Sequence, residues 1–173
     1  MILSDGTIKE KMKRGEVVIE PFLEEYLQPA SYDLHLDKYF LVFNKESIGM
    51  IDVKKKPKDL MREIVVEDAS EGFVIHPNEL VLANVVEITG VDSKHVGRLE
   101  GKSSLGRLGL IVHATAGFLD PGNKLRLTLE LANLSPLPIR IYPGMEIAQI
   151  AFEELDEECE RPYGSKSLKS TYS

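Results

Sequence analysis

The sequence contains one cysteine and no tryptophan among 173 residues. A single Cys159 excludes an internal disulfide and is typical of a protein kept in a reducing cytoplasm. The four histidines show no Cys-x-x-Cys or His-x-Glu spacing, so no zinc motif is recognisable. No apolar run approaches the length of a membrane span, and the first residues lack a secretion-signal pattern. The sequence therefore predicts a cytoplasmic protein with neither a zinc site nor a membrane anchor.

Basic residues are also scarce. Lysine and arginine total 21 against 28 acidic residues, which gives a net charge of −7. Affinity for nucleic acid depends on neutralising many phosphates, so this balance argues against a nucleic-acid partner. A small phosphorylated ligand is still compatible with the composition if basic groups gather at one place. A divalent cation would help, since it offsets the charge of both the protein and the ligand.

A sustained helical period is missing too, and short apolar, β-branched runs alternate with proline and glycine turns. The longest β-type run covers 80–88, and the pattern predicts a mainly β fold of the sandwich or barrel-like type. A chain of this length forms one domain, which we place at residues 1–160. Residues 161–173 are small, polar and basic, and we expect them to form a mobile tail.

One short helix is predicted at the N-terminus. Ser4 or Asp5 would cap it, Ile8 and Met12 would give it one packing face, and Gly15 would end it.

The stretch 101–130 carries most of the chemistry. Its start, Gly101-Lys102-Ser103-Ser104, supplies backbone N–H groups, two hydroxyls and an ammonium, and Arg107 follows three positions later. Such a dense set of donors suits an anion such as a phosphate chain. The spacing is not that of a P-loop, so this prediction rests on residue types alone.

Two acids follow in the same stretch. Glu130 lies in a mostly apolar run, where a carboxylate must be paired or used in chemistry, because its burial is costly. It is either a general acid/base or the ion-pair partner of Arg107 or Arg126. Asp120 precedes a Pro-Gly turn, where an acid commonly caps its own backbone but can also face a ligand.

Long motifs in the same order resemble the dCTP deaminase family of the dUTPase-like superfamily. The motifs are Ile2–Asp5, Gln28–Leu36, Gly101–Leu110, His113–Gly122, Thr128–Glu130, Pro143–Gln149 and Arg161–Gly164. The resemblance implies a distorted jelly-roll subunit and a homotrimer with active sites shared between subunits. It also implies dCTP or dUTP as substrate and Mg²⁺ bound through the triphosphate, without zinc.

The resemblance also assigns roles to individual residues. Glu130 matches the general acid/base, Ser103 and Arg107 match groups that assist at the reacting ring and the phosphates, and Asp120 matches the acid at the sugar 3′-hydroxyl. These four are the predicted catalytic residues. The predicted substrate-binding residues are Lys102, Ser103, Ser104, Arg107, Ala116, Gly117, Asp120, Gln149 and Tyr163.

Two features indicate which branch of the family this chain resembles. Gly117-Phe118 resembles members that also cleave the triphosphate and release dUMP, whereas members that release dUTP tend to carry a bulky basic pair there. An acid at Glu130 is typical of deaminases, since pure dUTPases have an apolar residue instead. Deamination coupled to formation of dUMP is therefore the predicted activity. The alternatives are a dUTPase and a non-catalytic nucleotide-binding relative, which the unusual end of the tail would permit.

Overall fold

The computed structural model describes residues 1–46, 48–55, 59–115 and 117–165. Strands account for 47% of these residues and helices for 10%, which confirms the mainly β prediction. The helices are α1 (Asp5–Lys13) and α2 (Ser103–Gly106), and the strands are β1 (Val17–Glu20), β2 (Leu27–Gln28), β3 (Ser31–Phe43), β4 (Met61–Val65), β5 (Phe73–Ile75), β6 (Leu80–Val91), β7 (His95–Gly101), β8 (Leu110–Ile111), β9 (Phe118–Leu119), β10 (Lys124–Asn133), β11 (Ile139–Ile141) and β12 (Glu146–Glu154).

One curled antiparallel sheet contains ten of these strands. Its main path runs β8-β10-β6-β3-β12-β7-β9, while β1 joins β6, and β2 and β4 join β3. Strands β5 and β11 form a separate pair. The order places β10, which carries Glu130, directly beside the long central strand β6. It also places the end of β7, which leads into the Lys102–Arg107 segment, beside β12.

Strand β3 differs from the sequence prediction. The sequence predicts a turn from Gln28 running into a strand that ends at Leu36, and a second strand at 39–43, with polar Asp37 and Lys38 between them, but the structure has one strand of 13 residues. The register with β6 shifts between Leu36 and Phe40, so the polar pair lies at an irregularity within the strand. The first half of β3 pairs with β12 and the second half with β4, so this strand joins the two halves of the curled sheet.

The core lies on one face of β6. Its side chains alternate between buried and half-buried, as expected when one face packs inward. The largest side chains under 2% exposed are Tyr32, Phe40, Phe152, Ile8, Leu34, Leu36, Ile75, Leu119, Leu129, Leu131, Ile141 and Ile147. Burial of this apolar surface is the main stabilising contribution to such a fold.

Helix α1 forms as predicted. The Ser4 side chain accepts a hydrogen bond from the Thr7 amide at 3.5 Å, Ile8 is fully buried, and Gly15 adopts φ +74° after the last turn. In the described ranges, neither helix is long and apolar enough to cross a membrane. The division into a domain of 1–160 and a mobile tail stays a prediction, and residues 166–173 of that tail lie outside the described ranges.

Candidate active site

Glu130 lies on β10 directly opposite Leu82 of β6. Its side chain is half-buried, and its Oε2 accepts hydrogen bonds from the amides of Ala114 and Thr115 at 2.8 and 3.2 Å. The Glu130 amide donates to the carbonyl of Val112 at 3.2 Å, so the same loop is fixed to the strand from both sides. Its other oxygen, Oε1, accepts no hydrogen bond from any residue within the described ranges. The carboxylate is thus oriented by main chain and retains one oxygen for a ligand.

The ion-pair alternative for Glu130 does not occur. Arg126 instead donates from Nη1 to Asp37 at 3.2 Å, across the sheet on β3. Arg107 is exposed, and its guanidinium forms no hydrogen bond or ion pair with the part of the chain that the structure describes. Glu130 is therefore held by backbone amides and not by a basic side chain.

The loop that holds Glu130 also packs against the end of β7. The Leu99 amide donates to the Gly117 carbonyl at 2.8 Å, and the Val112 side chain lies against Gly101. His113 is half-buried, and its Nδ1 is buried without a hydrogen-bond partner among the described residues. Ala116, a predicted substrate-binding residue, lies outside the described ranges. This packing brings Glu130 and its loop close to the start of the donor-rich segment.

The donor-rich segment is partly helical. Its small and polar residues predict a loop, but residues 103–106 form the single turn α2, with the amides of Gly106 and Arg107 donating to the carbonyls of Lys102 and Ser103 at 3.0 and 3.1 Å. Ser103, Ser104 and Arg107 all have exposed side chains. Their hydroxyls and guanidinium are free to meet an anion.

Lys102 differs from these neighbours, because its side chain points back to the sheet. Its Nζ lies 2.9 Å from Asp33 Oδ2 and 2.5 Å from Glu146 Oε2. Although partial burial opposes the charge, hydrogen bonds to Glu146 and Asp33 raise the pKa of Lys102 above its ordinary value. The hydrogen bond from Lys102 lowers the pKa of Glu146.

Gln149 belongs to the same neighbourhood. It lies opposite Asp33 in the ladder between β12 and β3, and its Oε1 accepts from the Ser31 hydroxyl at 2.8 Å. Gln28 donates to Asp33 Oδ2 at 3.0 Å. Neither Asp33 nor Glu146 is among the predicted site residues, because only the long-range pairing of β3 with β12 brings them to Lys102.

Tyr163 lies against the Pro-Gly turn that follows Asp120. The Tyr163 amide donates to the Pro121 carbonyl at 2.8 Å, and Gly122 adopts φ +81°. A Cβ at Gly122 would stand 2.7 Å from Pro162, so only glycine fits beneath the base of the tail. The Asp120 carbonyl, and not its carboxylate, closes the turn by accepting from the Asn123 amide at 3.1 Å. The carboxylate is exposed and does not cap its own backbone.

The predicted residues thus form three groups in one chain. These are Glu130 with its loop, the 102–107 segment with Gln149, and Asp120 with Tyr163. Within the described ranges, no side-chain hydrogen bond or ion pair joins one group to another. Two large apolar side chains next to these residues in the sequence are exposed, Leu108 at 61% and Phe118 at 65%.

A separate cluster could in principle bind a cation. Glu16, Asp92 and His95 place one ligand atom each within 4.8 Å of the others. However, His95 Nδ1 lies 2.6 Å from Asp92 Oδ1, and the Lys11 ammonium lies 2.7 Å from Glu16. These ligand atoms thus already have partners, and the Asp92 amide donates to the Glu16 carbonyl at 3.0 Å, so the cluster joins the end of α1 to the turn between β6 and β7.

Comparison with known proteins shows the family of the chain. A family model described as dCTP deaminase-like matches residues 2–155. The chain is 48% identical over 172 residues to a protein of Corynebacterium glutamicum (strain R) named dCTP deaminase, dUMP-forming, and the match covers 99% of this chain and 90% of that protein.

Solved structures share the fold. A 2′-deoxycytidine 5′-triphosphate deaminase from Agrobacterium tumefaciens has a TM-score of 0.67 at 24% identity, over 87% of this chain and 46% of that one. A mutant dUTPase from phage phi11 of S. aureus, described as coordinating a structural Mg(II) ion, has a TM-score of 0.52 at 12% identity, over 91% and 97% of the two chains. The fold is thus dUTPase-like, and with the family match over most of its length the chain belongs to the dCTP deaminase-like family.

Proposed function

We propose that this protein removes the amino group from C4 of the cytosine in dCTP and also cleaves the triphosphate. One water replaces the amino group and releases ammonia, and a second water splits the bond between the α- and β-phosphates. The products are dUMP, pyrophosphate and ammonia, formed in the cytoplasm. The full-length similarity to a protein named dCTP deaminase, dUMP-forming, supports this reaction.

The geometry of Glu130 carries the proposal. Two backbone amides hold Oε2, which orients the carboxylate and leaves Oε1 without a hydrogen-bond partner among the described residues. A carboxylate so placed can take a proton from water as it attacks C4, and can return a proton to the departing amine. Because main-chain donors do not move or titrate, the base is oriented before the substrate arrives.

The other two groups suit the remaining parts of the nucleotide. Ser103, Ser104 and Arg107 present exposed donors for the triphosphate. Asp120 would accept from the sugar 3′-hydroxyl, and the contact of Tyr163 with Pro121 would put the base of the tail near the same sugar. Gln149 and Gly117 would complete the contacts with the ligand, as would Ala116.

Mg²⁺ fits this site as a cation carried by the nucleotide. The groups exposed on the 103–107 segment donate to anions and provide no carboxylate cage for the ion. When bound to the triphosphate, Mg²⁺ would neutralise phosphate charge beside an acidic protein.

The active form would be a homotrimer with sites between subunits. Two observations support this: among the described residues no side-chain hydrogen bond or ion pair links the three groups, and Leu108 and Phe118 beside them in the sequence are exposed. A second protomer would cover those apolar side chains and supply the missing group.

The test is to incubate the protein with Mg²⁺ and either dCTP or dUTP, and to separate the products. Ammonia and dUMP from dCTP are the expected result. Release of pyrophosphate from dUTP, with dCTP left intact, would instead identify a dUTPase. Nucleotide binding without turnover would identify a binding protein, and sedimentation of a single protomer during turnover would refute the shared sites.

A further inference from the structure

Lys102 differs from the other predicted substrate-binding residues because its ammonium already forms ion pairs within the protein. The ammonium lies within hydrogen-bond distance of two carboxylates, those of Asp33 and Glu146, and the side chain is only 22% exposed. The two acids belong to different strands, β3 and β12. One positive charge therefore ties the 103–107 segment to two neighbouring strands of the sheet.

Asp33 disfavours any conformation in which the Lys102 ammonium leaves this attachment. Its side chain is 5% exposed, and its Oδ2 receives the ammonium and the Gln28 amide at 2.9 and 3.0 Å. If the ammonium turned outward to a phosphate, Asp33 would keep a nearly buried negative charge with a single neutral donor. Such an uncompensated charge is strongly unfavourable.

The 103–107 segment needs this attachment. Helix α2 has only four residues, and a helix so short does not form by itself in water. Three amides, those of Leu105, Gly106 and Arg107, donate to the carbonyls of Lys102 and Ser103 at 3.0, 3.0 and 3.1 Å. Fixing Lys102 therefore fixes the acceptors that order the turn, and with it the directions of Ser103 and Arg107.

We infer that Lys102 is a positioning residue, which holds Ser103 and Arg107 toward the triphosphate through its contacts with Asp33 and Glu146 and does not itself contact the phosphates. The inference rests on the proposed function for the ligand, but the attachment itself does not require a nucleotide. It divides the basic groups of the segment into one that fixes the turn and one, Arg107, that meets the anion.

The direction in which Glu146→Gln changes kcat/KM distinguishes a positioning role of Lys102 from direct binding of phosphate. If Lys102 positions the turn, Glu146→Gln weakens the attachment and lowers kcat/KM for dCTP, in the same direction as Lys102→Met. If Lys102 binds phosphate directly, Glu146→Gln removes a competing negative charge and leaves kcat/KM unchanged or higher. We expect Lys102→Met to lose about tenfold, as for loss of one charged hydrogen bond, and Glu146→Gln to lose about threefold, because this acid is 47% exposed. The double variant should lose no more than the worse single one, because both remove the same interaction.

Two controls make the result specific. Glu153→Gln removes an equal charge from the same strand, but Glu153 lies 3.5 Å from Arg98 and does not contact Lys102. The kcat/KM of this variant should stay within about twofold of the parent value. Lys102→Arg keeps the charge and both acceptors, and should restore most of the activity. A gain or no change with Glu146→Gln, or a double variant with the product of the two single losses, would overturn the inference.

A measurement without nucleotide keeps the inference separate from the proposed function. Urea unfolding of the parent, the two single variants and the double variant should show coupling between Lys102 and Glu146, and additive effects would overturn the attachment. If the parent fails to turn over dCTP, the proposed function fails, whereas this unfolding cycle still decides whether the attachment exists.

Discussion

Glu87 and Glu130 are glutamates in apolar stretches of two paired strands, but they lie on opposite faces of the sheet. Residues directly opposite each other point to the same side, so Glu130 shares the face of Leu82, whereas Glu87 has the opposite parity on β6. Glu87 is 3% exposed, and both of its oxygens serve His35: Oε2 accepts from the His35 amide at 3.0 Å, and Oε1 lies 2.7 Å from Nδ1.

The difference between the two acids is the use of the second oxygen. Glu87 has none to spare and can only stabilise the fold, while Glu130 binds its loop with Oε2 and keeps Oε1 available. An acid in an apolar strand is therefore not evidence for a catalytic site by itself. The partners of its two oxygens decide whether it acts as a structural or a chemical group.

The largest effect should come from Glu130→Gln. The amide oxygen of glutamine can still accept from Ala114 and Thr115, but the side chain can no longer carry protons. We expect kcat for deamination to fall at least about a hundredfold, within the range for loss of a general acid/base. Affinity for dCTP, measured by calorimetry, should change little, and unfolding should shift by less than about 1 kcal/mol. Retained deamination would disprove the role of Glu130.

Glu87→Gln should show the opposite pattern. One of the two acceptor oxygens becomes an NH₂ group that faces a donor of His35, in a place almost without solvent. We expect a loss of about 2–3 kcal/mol in the free energy of unfolding, measured with urea, because a buried charged hydrogen bond is replaced by a mismatch. At a temperature where the variant is folded, kcat should stay within a few-fold of the parent. A large fall in kcat without loss of stability would contradict this division of roles.

A third substitution tests the loop that distinguishes the two acids. Gly117 does not have a positive φ, and an added Cβ would meet Leu99 O at 3.4 Å and His113 Cε1 at 3.5 Å, which are ordinary contacts. The position therefore tolerates a side chain. Gly117→Arg resembles the branch that releases dUTP, and its bulky cation should exclude the water that attacks the phosphate. We expect triphosphate cleavage to fall about tenfold more than deamination, assayed as dUTP against dUMP formed from dCTP.

Gly117→Ala is the matched control for this test. It adds the Cβ without the charge or the bulk, and should leave the ratio of the two products close to that of the parent. Equal losses of cleavage and deamination in Gly117→Arg would remove the argument that this loop selects the product.

The sequence predicted the strands and the position of Glu130 on one of them, because β-branched runs and apolar neighbours are local signals. It could not predict that Glu87 is buried and Glu130 only half-buried. In 80–88 both the odd-numbered and the even-numbered positions are mostly apolar, so the sequence does not indicate which of the two faces the core. Nor could it join residues 31–43 into one strand. Asp37 and Lys38 look like a turn, but each pairs with a neighbouring strand or loop, Asp37 with Arg126 at 3.2 Å and Lys38 with Glu67 at 2.7 Å.

The roles of the site residues remain predictions from the family, because no side-chain hydrogen bond or ion pair among the described residues joins the three groups. The contact that sequence reasoning missed, Lys102 with Asp33 and Glu146, depends on pairing between strands far apart in the chain. Lysine beside two serines is typical of a phosphate-binding loop, and nothing local indicates that its charge is already neutralised.

The smallest expected effect concerns pH. The hydrogen bond from Lys102 lowers the pKa of Glu146 in the folded protein. Its contribution to stability is therefore complete above the unfolded pKa of about 4.3 and is lost as the pH falls through the lower folded value. Because the Glu146 side chain is 47% exposed, solvent screening limits the contribution to less than about 1 kcal/mol.

Unfolding free energies measured between pH 6 and pH 3 should fall less steeply for Glu146→Gln than for the parent, and Glu153→Gln provides the comparison for a like charge on the same strand. Identical slopes for the parent and Glu146→Gln would mean that Lys102 does not stabilise the Glu146 carboxylate, and that Asp33 alone retains the ammonium.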